Sequence, residues 1–383
     1  MKRAVCAAVV GGLATYFALV PVAVALLPQG LVWKEPPAPH ATATMRASVY
    51  LTSGDESVMD VRPFPRPVPN AHQVLVQVLF AGANPVDFKF RRDSLWPIVP
   101  RPKISGFDFS GTVVQAPPGS AFKPGDRVHG MLPCPFHSWG TYAELVAADE
   151  AFTAHVPPRG MTMQEAAGAP LAALTAWQAI ERAKPLPAGA KVLVHAGAGG
   201  VGNFLVQLAK ANGWHVTTTC SAGAALCKAL GADVVVDYKR EDFERVVPAG
   251  SLDAVFDCIG GAYLQKSMRL CKLSGTYVEI LNDGLLDYLQ VSSVTHPLYQ
   301  AYFVGQFLYY TLRGALGLGP AFKRGVVQAN GEQLAAVDAL VAKGEVRVVV
   351  DRVFDGLGQG ARDAHAYLAT NKAQGKVLVD VTR

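Results

Sequence analysis

The stretch Val192–Lys210, VLVHAGAGGVGNFLVQLAK, decides the fold. Its unbroken apolar run, Val192-Leu193-Val194, has the pattern of a strand buried on both faces in a parallel sheet. A glycine turn follows, and then Val201, Leu205 and Leu208 recur at helical spacing. The turn reads Gly197-x-Gly199-x-x-Gly202. The first glycine permits a sharp turn, the second lets the backbone approach a pyrophosphate, and the third lets helix pack on strand. At the helix start, the N–H groups around Gly200 and Val201 have no intrahelical partner and suit an anion. Strand, turn and helix in this order predict a dinucleotide site rather than an incidental glycine-rich turn.

Around this stretch, 383 residues leave room for two domains. Hydrophobic residues make up 50% and charged residues 17%, which suits a globular α/β protein and excludes a disordered one. The net charge of +5 comes without a basic run or basic–aromatic interleaving, so no nucleic-acid partner is expected. Cys6, Cys134, Cys220, Cys227, Cys258 and Cys271 include no CxxC pair. They predict scattered free thiols rather than a disulfide framework or a zinc knuckle.

The N-terminus stands apart. Lys2-Arg3 precedes an uncharged run from Ala4 to Trp33, whose apolar heart is Ala4–Leu27. A bilayer core of roughly 30 Å needs about 20 such residues. A retained signal anchor is one reading, favoured by the length of the run. A cleaved targeting sequence ending at Ala23-Val24-Ala25 is the other. Residues 1–44 are therefore read as an anchor or targeting segment with a linker. The endoplasmic reticulum, the mitochondrion and the plastid all stay open as destinations.

Arg46–Leu51 and Gln73–Phe80 alternate as strands do, and Gly111–Val114 and Arg127–Met131 are further short strands. Turns at Pro117-Pro118-Gly119 and Pro124-Gly125-Asp126 separate them, which predicts a barrel-like β domain. Gln164–Arg182 is expected to be one helix. Strands and helices then alternate through Lys191–His195, Gly202–Asn212, His215–Thr219, Ala222–Leu230, Val234–Asp237, Ala254–Asp257 and Gly275–Ile280. Such alternation predicts a parallel sheet with right-handed crossovers. The tail predicts strand Val346–Val353, helix Ala361–Ala369 and strand Lys376–Val381. Between Asp287 and Arg313 lies an aromatic-rich stretch too polar for a second membrane span. A helical lid over a pocket or a dimer surface is expected there, with a weak membrane contact as a further option.

Several motifs recur in one order: Asn84-Pro85-Val86-Asp87, Gly106-Phe107-Asp108-Phe109-Ser110-Gly111-Thr112-Val113, and Pro124-Gly125-Asp126-Arg127-Val128. Then come Gly140-Thr141-Tyr142-Ala143-Glu144, Leu174-Thr175-Ala176-Trp177, the glycine turn, Leu230-Gly231-Ala232-Asp233, Asp237-Tyr238 and Gly375-Lys376-Val377. This series resembles the medium-chain dehydrogenase/reductase superfamily over nearly the whole chain after residue 45. Within it, the chain resembles the zinc-independent quinone oxidoreductase branch, including the mitochondrial reticulon-interacting NADPH oxidoreductases and the chloroplast-envelope quinone oxidoreductase homologues. The resemblance implies an α/β chain with a Rossmann doubly wound parallel sheet at 166–322. A discontinuous GroES-like β-barrel catalytic domain is implied at 45–165 and 323–383, with the cleft between the two and a homodimer as the assembly.

Zinc members of the superfamily use a Cys where Asn84 stands and a His-Glu pair where Phe107-Asp108 stand. Neither Asn nor Phe is a good zinc ligand. His129, His137 and His155 are read as surface or pocket residues, so no metal site is expected. Alcohol oxidation without a Lewis acid loses its alkoxide stabiliser, whereas hydride addition to a quinone or an activated C=C needs none. NAD enzymes place an acid on the ribose about 20 residues past the glycines. Thr218-Thr219-Cys220-Ser221 stands there instead. It repels no 2′-phosphate and offers hydroxyls to it, so NADPH is the expected cofactor. A basic residue that relatives carry after the Ser is missing, and Lys239-Arg240 beside Tyr238 are expected to supply the charge.

The resemblance further places Thr175 on the nicotinamide side, Asn84 and Asp87 at the pocket floor, and Asn371 and Lys376 near the cofactor; Trp96 either stacks on flat acceptors, as the resemblance implies, or is a core residue. Asn84 either bonds a substrate carbonyl or ties its own loop. Asp87 is either structural, paired with Arg91 or Arg92, which is the expected reading, or an acidic catalyst. Lys376 is either a cofactor contact or a surface charge, and Glu144 supports the barrel. The implied activity is NADPH-dependent hydride transfer to a quinone or related activated acceptor. Alternatives are an NADPH-dependent enone or enoyl-thioester reductase and, from another class, an NADPH-binding, non-catalytic, membrane-tethered interaction protein. Solvent can protonate the product, so no general acid is named.

Overall fold

A computed structural model describes residues 43–92, 101–133, 138–280 and 297–383. The first block supplies β1 (Thr44–Tyr50), β2 (Met59–Pro65), β3 (Gln73–Ala83), β4 (Lys103–Ile104), β5 (Asp108–Gln115), β6 (Arg127–Met131), β7 (Leu145–Asp149) and β8 (Thr153–His155). The middle supplies β9 (Lys191–Val194), β10 (His215–Cys220), β11 (Val234–Asp237), β12 (Leu252–Asp257), β13 (Cys271–Glu279) and β14 (Ala321–Arg324). Two more, β15 (Val350–Asp355) and β16 (Lys376–Asp380), close the chain.

The end of the chain completes the sheet that its beginning started. One sheet runs β15-β16-β3-β5-β6-β8 with β7 also on β3, beside a smaller sheet β2-β1-β4. β16 pairs antiparallel with β3, Val377 opposite Ala83, so this GroES-like domain is discontinuous. The alternation read in β3 is real: Val74, Val76 and Val78 all point into the core, where Phe109, Val128 and Val377 meet them.

The other domain is a parallel sheet in the order β11-β10-β9-β12-β13-β14. That is the doubly wound order, reversing between β9 and β12, and the crevice at the reversal is where such folds bind ligands. Val192, Leu193 and Val194 of β9 are fully buried, as a central parallel strand requires. β14 is the outermost strand, so the chain leaves this sheet only after Arg324.

The strand expected from Gly275 begins at Cys271, and three further departures have a physical reason. The helix read over Gln164–Arg182 is two helices, Met163–Gly168 and Pro170–Ala183. A capping box between Thr162 and Glu165 starts the first, and Pro170 breaks the run because it has no N–H to continue the ladder. The strand read from Val346 begins only at Val350. The backbone of Arg347 is spent on the Gln207 side chain, donating to Oε1 (2.8 Å) and accepting from Nε2 (3.0 Å). His129 is neither a surface nor a pocket residue. It is fully buried, with Nε2 2.8 Å from Asp338 Oδ2 and Nδ1 2.9 Å from the Ala166 carbonyl. It ties β6 to the helix Gly331–Ala342.

The N-terminal run, Trp96 and His137 lie outside the described residues. Among the described residues, no helix is long and apolar enough to cross a membrane.

Candidate active site

β3 ends at Ala83, and Pro85 opens the helix Pro85–Arg92 at a position where a missing N–H costs nothing. Asn84 sits at the junction. Its backbone N–H donates to Asp87 Oδ2 (2.7 Å), and its side-chain Nδ2 donates to Asp108 Oδ2 (2.9 Å) on β5. Asn84 Oδ1 accepts from Lys376 Nζ on β16, and that ammonium is also 3.5 Å from Asp108 Oδ2. Three adjacent strands therefore deliver one cluster. Exposure is 1% for Asn84, 3% for Asp87 and Lys376, and 0% for Asp108. Asp108 Oδ1 accepts the Leu171 N–H (2.8 Å) in the first turn of the helix Pro170–Ala183, where the helix dipole favours a carboxylate. Burial still pushes the Asp108 carboxyl up, with Lys376 and Asn84 pulling it down.

Asp87 differs. Its Oδ1 is buried without a hydrogen-bond partner. Burial raises its carboxyl to about 8, against the pull of the Asn84 N–H, and the charge of Asp108 adds to the rise. Asp87 is therefore mostly neutral at pH 7. It does not pair with Arg91 or Arg92, as the sequence suggested. Arg91 turns away to the Gly54 carbonyl (Nη1, 2.6 Å), His365 Nδ1 (Nε, 3.2 Å) and Glu56 (3.7 Å). Burial, with Arg91 beside it, lowers His365 to about 3, so the imidazole is neutral and accepts from Arg91. Arg92 lies over the Phe88 ring instead.

Lys376 is a buried bridge, not a surface charge. A Cβ built on Gly200 would stand 3.3 Å from Lys376 Cδ, so the stem of this lysine runs along the glycine turn. Thr175 lies one turn beyond Leu171, is 8% exposed, and donates its hydroxyl to the Leu171 carbonyl (2.6 Å). Only its lone pairs remain for a ligand.

The turn fits a pyrophosphate. A Cβ on Gly202 would overlap the Ala196 carbonyl oxygen and come within 2.7 Å of its carbon, and one on Gly197 would strike Thr218. On Gly199 it would meet only the Ala196 oxygen, at 3.3 Å. The first intrahelical bond runs from the Asn203 N–H to the Gly199 carbonyl (3.0 Å). The amides of Gly200, Val201 and Gly202 precede it and face an incoming anion. Asn203 Nδ2 braces the turn from within, donating to the carbonyls of Gly199 (2.9 Å) and Gly200 (3.1 Å).

At the far end of the crevice, the expected hydroxyl set shrinks. Thr218 donates its hydroxyl to the Val194 carbonyl (2.7 Å), and Thr219 Oγ1 is 3.0 Å from His195 Nδ1, so both point inward. Ser221 remains, hydrogen-bonded to the Tyr238 hydroxyl at 3.3 Å. Lys239 and Arg240 follow on the same rim; the Arg240 side chain is 86% exposed and 3.4 Å from Asp237. Asn371 occupies a left-handed turn (φ +56°) after the helix Ala361–Ala369, its N–H on the Leu368 carbonyl. Nearby Gln374, which sequence reasoning missed, reaches Gly223. Glu144 pairs with Arg46 (2.7 Å) on β1, bracing the barrel.

A catalytic zinc does not fit this donor set. The one carboxylate at the expected position, Asp108, is committed to Lys376, Asn84 and the Leu171 N–H. Among the described residues, no group of three or more His, Cys, Asp or Glu side chains is placed to hold a metal.

Residues 70–158 match the alcohol dehydrogenase GroES-like domain, and residues 230–379 match the family described as zinc-binding dehydrogenase. The trans-enoyl reductase pgmF of Aspergillus terreus is 34% identical over 323 residues, spanning 81% of this chain and 86% of its own. The chain belongs to the medium-chain dehydrogenase/reductase family. A second relative in the family is the chloroplastic NADPH-dependent alkenal/one oxidoreductase of Arabidopsis thaliana, 32% identical over 352 residues, with 88% of this chain and 79% of that one covered. Among solved members, the quinone oxidoreductase of Coxiella burnetii superposes with a TM-score of 0.74 at 29% identity, covering 88% of this chain and all of that one.

Proposed function

We propose that this medium-chain reductase transfers hydride from NADPH to the electrophilic carbon of a quinone or an α,β-unsaturated carbonyl compound. The observation that carries the proposal is the buried Lys376–Asn84–Asp108 cluster, joined to the glycine turn by the stem of Lys376. The nicotinamide supplies the hydride. What the chain supplies is position and charge. Hydride arrival at carbon builds negative charge on the acceptor oxygen, and a fixed ammonium beside it is the standard means of stabilising that charge. Lys376 and Asp108 balance one another, and a neutral Asp87 keeps the floor from becoming anionic. Ser221, Tyr238, Lys239 and Arg240 are the residues proposed for the 2′-phosphate. NADPH dependence and the acceptor class also draw on the names of the relatives.

The relative named a trans-enoyl reductase favours a second reading on the same machinery, with an enoyl thioester as acceptor. For location, the reading takes residues 1–44 as carrying the protein to an organelle, and the assembly as a homodimer. The test is turnover by the full-length protein in mild detergent, followed by loss of reduced-nicotinamide absorbance, with ubiquinone analogues, 9,10-phenanthrenequinone, 2-alkenals and a short enoyl thioester. NADH is run in parallel. Turnover with quinones or alkenals, and preference for NADPH, supports the proposal. Turnover with the thioester alone moves it to the second reading. Tight NADPH binding with no turnover on any of them rejects catalysis of this class.

A further inference from the structure

The helix Pro297–Ala315 carries no charged residue before Arg313. One side is covered by β14. Phe307 and Tyr310 pack on Phe322, with ring centroids 6.0 and 5.7 Å away, and Arg324 lies over the Phe303 ring. On another side, Ala301, Gly305, Tyr309, Leu312 and Leu316 recur at helical spacing and share an arc of about 80°. Tyr309 is 55% exposed, Leu312 48%, Leu316 57%, and Leu318 in the following turn 59%. An uncharged, aromatic-rich helix is normally covered on more than one side. This one has protein against one side and an apolar stripe facing outward on the other.

We propose that this stripe is a membrane-docking face, seated among the headgroups and upper acyl chains of an anionic bilayer. From Pro297 to Val327 there is no Asp or Glu, and the charges are Arg313, Lys323 and Arg324, of which Arg324 is paired with the buried Glu279, leaving Arg313 and Lys323. Arg313 is folded onto the edge of the stripe, its guanidinium 5.6 Å over the Tyr309 ring and Nη2 donating to the Leu318 carbonyl (2.7 Å). Exposed leucines beside a tyrosine ring and an arginine suit the interfacial layer, where amphipathic rings sit at headgroup level and a cation meets anionic headgroups. The chain ahead of β1 supplies an independent argument. The apolar run Ala4–Leu27 suits a bilayer, and residues 28–42, extended, reach roughly 50 Å. A run held in the membrane and this face can therefore share one surface. No described helix can cross the bilayer, so the helix lies on it. Arg324 Nη1 meets the Phe303 carbonyl at the carboxyl end of β14, so docking sets that end of the sheet, the end of the ligand crevice, near lipid.

The test uses full-length protein and vesicles of two parts phosphatidylcholine to one part phosphatidylglycerol. Tyr309→Trp places an indole on the stripe, and the unsubstituted chain gives the background of the native tryptophans. The expected result is a blue-shifted emission for the added indole and its quenching when the phosphatidylcholine is brominated in its acyl chains. Leu312→Glu with Leu316→Glu should lower vesicle affinity at least about tenfold while NADPH binding is retained. Should that double variant fail to fold, the indole readout decides alone. An indole unquenched on vesicles that carry the protein overturns the proposal, because the N-terminal run is then the only contact. A blue shift that depends on protein concentration without lipid overturns it too, in favour of a second copy on this face.

Discussion

Two alanine substitutions one turn apart should have different effects. In Gly202→Ala, the methyl group collides with the Ala196 carbonyl, whose oxygen already accepts the Gly199 N–H (2.9 Å). The obstacle is backbone, held at φ +57° at Ala196, and cannot rotate aside. Overpacking of this kind costs about 3 kcal/mol, which lowers Tm by about 6–12 °C for a domain of this size. Gly199 has φ −74° and ψ 174°, which any residue adopts, and its new methyl would meet only one atom, at 3.3 Å. That contact is tight and is made with the same backbone oxygen, so Gly199→Ala should lower the apo Tm, but by much less than Gly202→Ala does. The methyl added at Gly199, however, occupies the approach of the pyrophosphate, so NADPH affinity should fall about 10- to 100-fold, or roughly 1.5–3 kcal/mol. Thermal unfolding with and without NADPH, beside a nicotinamide fluorescence titration, reads both effects. Unchanged NADPH affinity in Gly199→Ala would show that the turn does not hold the pyrophosphate. An unchanged apo Tm in Gly202→Ala would show that helix and turn do not approach as closely as described.

Asp87→Asn should flatten the pH dependence of stability. The folded carboxyl keeps its proton to about 8, whereas the unfolded one releases it near 4. Between those values the folded state binds more protons, so this group's contribution is full below pH 4 and is lost as pH rises through 8. That loss is on the order of 5 kcal/mol, and denaturant midpoints at acidic and alkaline pH should show the variant gaining on the parent as pH rises. Lys376→Met keeps the stem beside Gly200 but strands Asp108. It should cost about 3 kcal/mol of stability and lower kcat for acceptor reduction more than it raises KM for NADPH. Arg240→Ala should raise the KM for NADPH more than that for NADH. An equal effect on both removes Arg240 from the 2′-phosphate site.

The doubly wound sheet was legible because its signals are local: an apolar strand, three spaced glycines and a helical stripe within 19 residues. Helix breaks were less so. Pro170 announces one plainly, yet the alanine-rich flanks on either side read as a single helix. The site was half legible. Asn84, Asp87 and Lys376 could be named from motifs, but the partnership among them depends on β3, β5 and β16 lying side by side, which no spacing along the chain encodes. Asp108 was visible beside Phe107 only as a lost zinc position. Its three hydrogen-bonding partners come from distant segments. Thr218 and Thr219 misled for a related reason. A hydroxyl at a strand's end can face the crevice or its own sheet, and the bonds to Val194 and His195 fix the second choice.

The most direct test of the central claim is a single-turnover oxidation of NADPH by the full-length protein, using the acceptor it turns over fastest and NADPH deuterated at either face of C4. Direct hydride transfer in a fixed geometry predicts slowing with one diastereomer and not the other, with one reduced acceptor formed per NADPH consumed. The absence of an isotope effect with both, or NADPH loss without reduced acceptor, would contradict it.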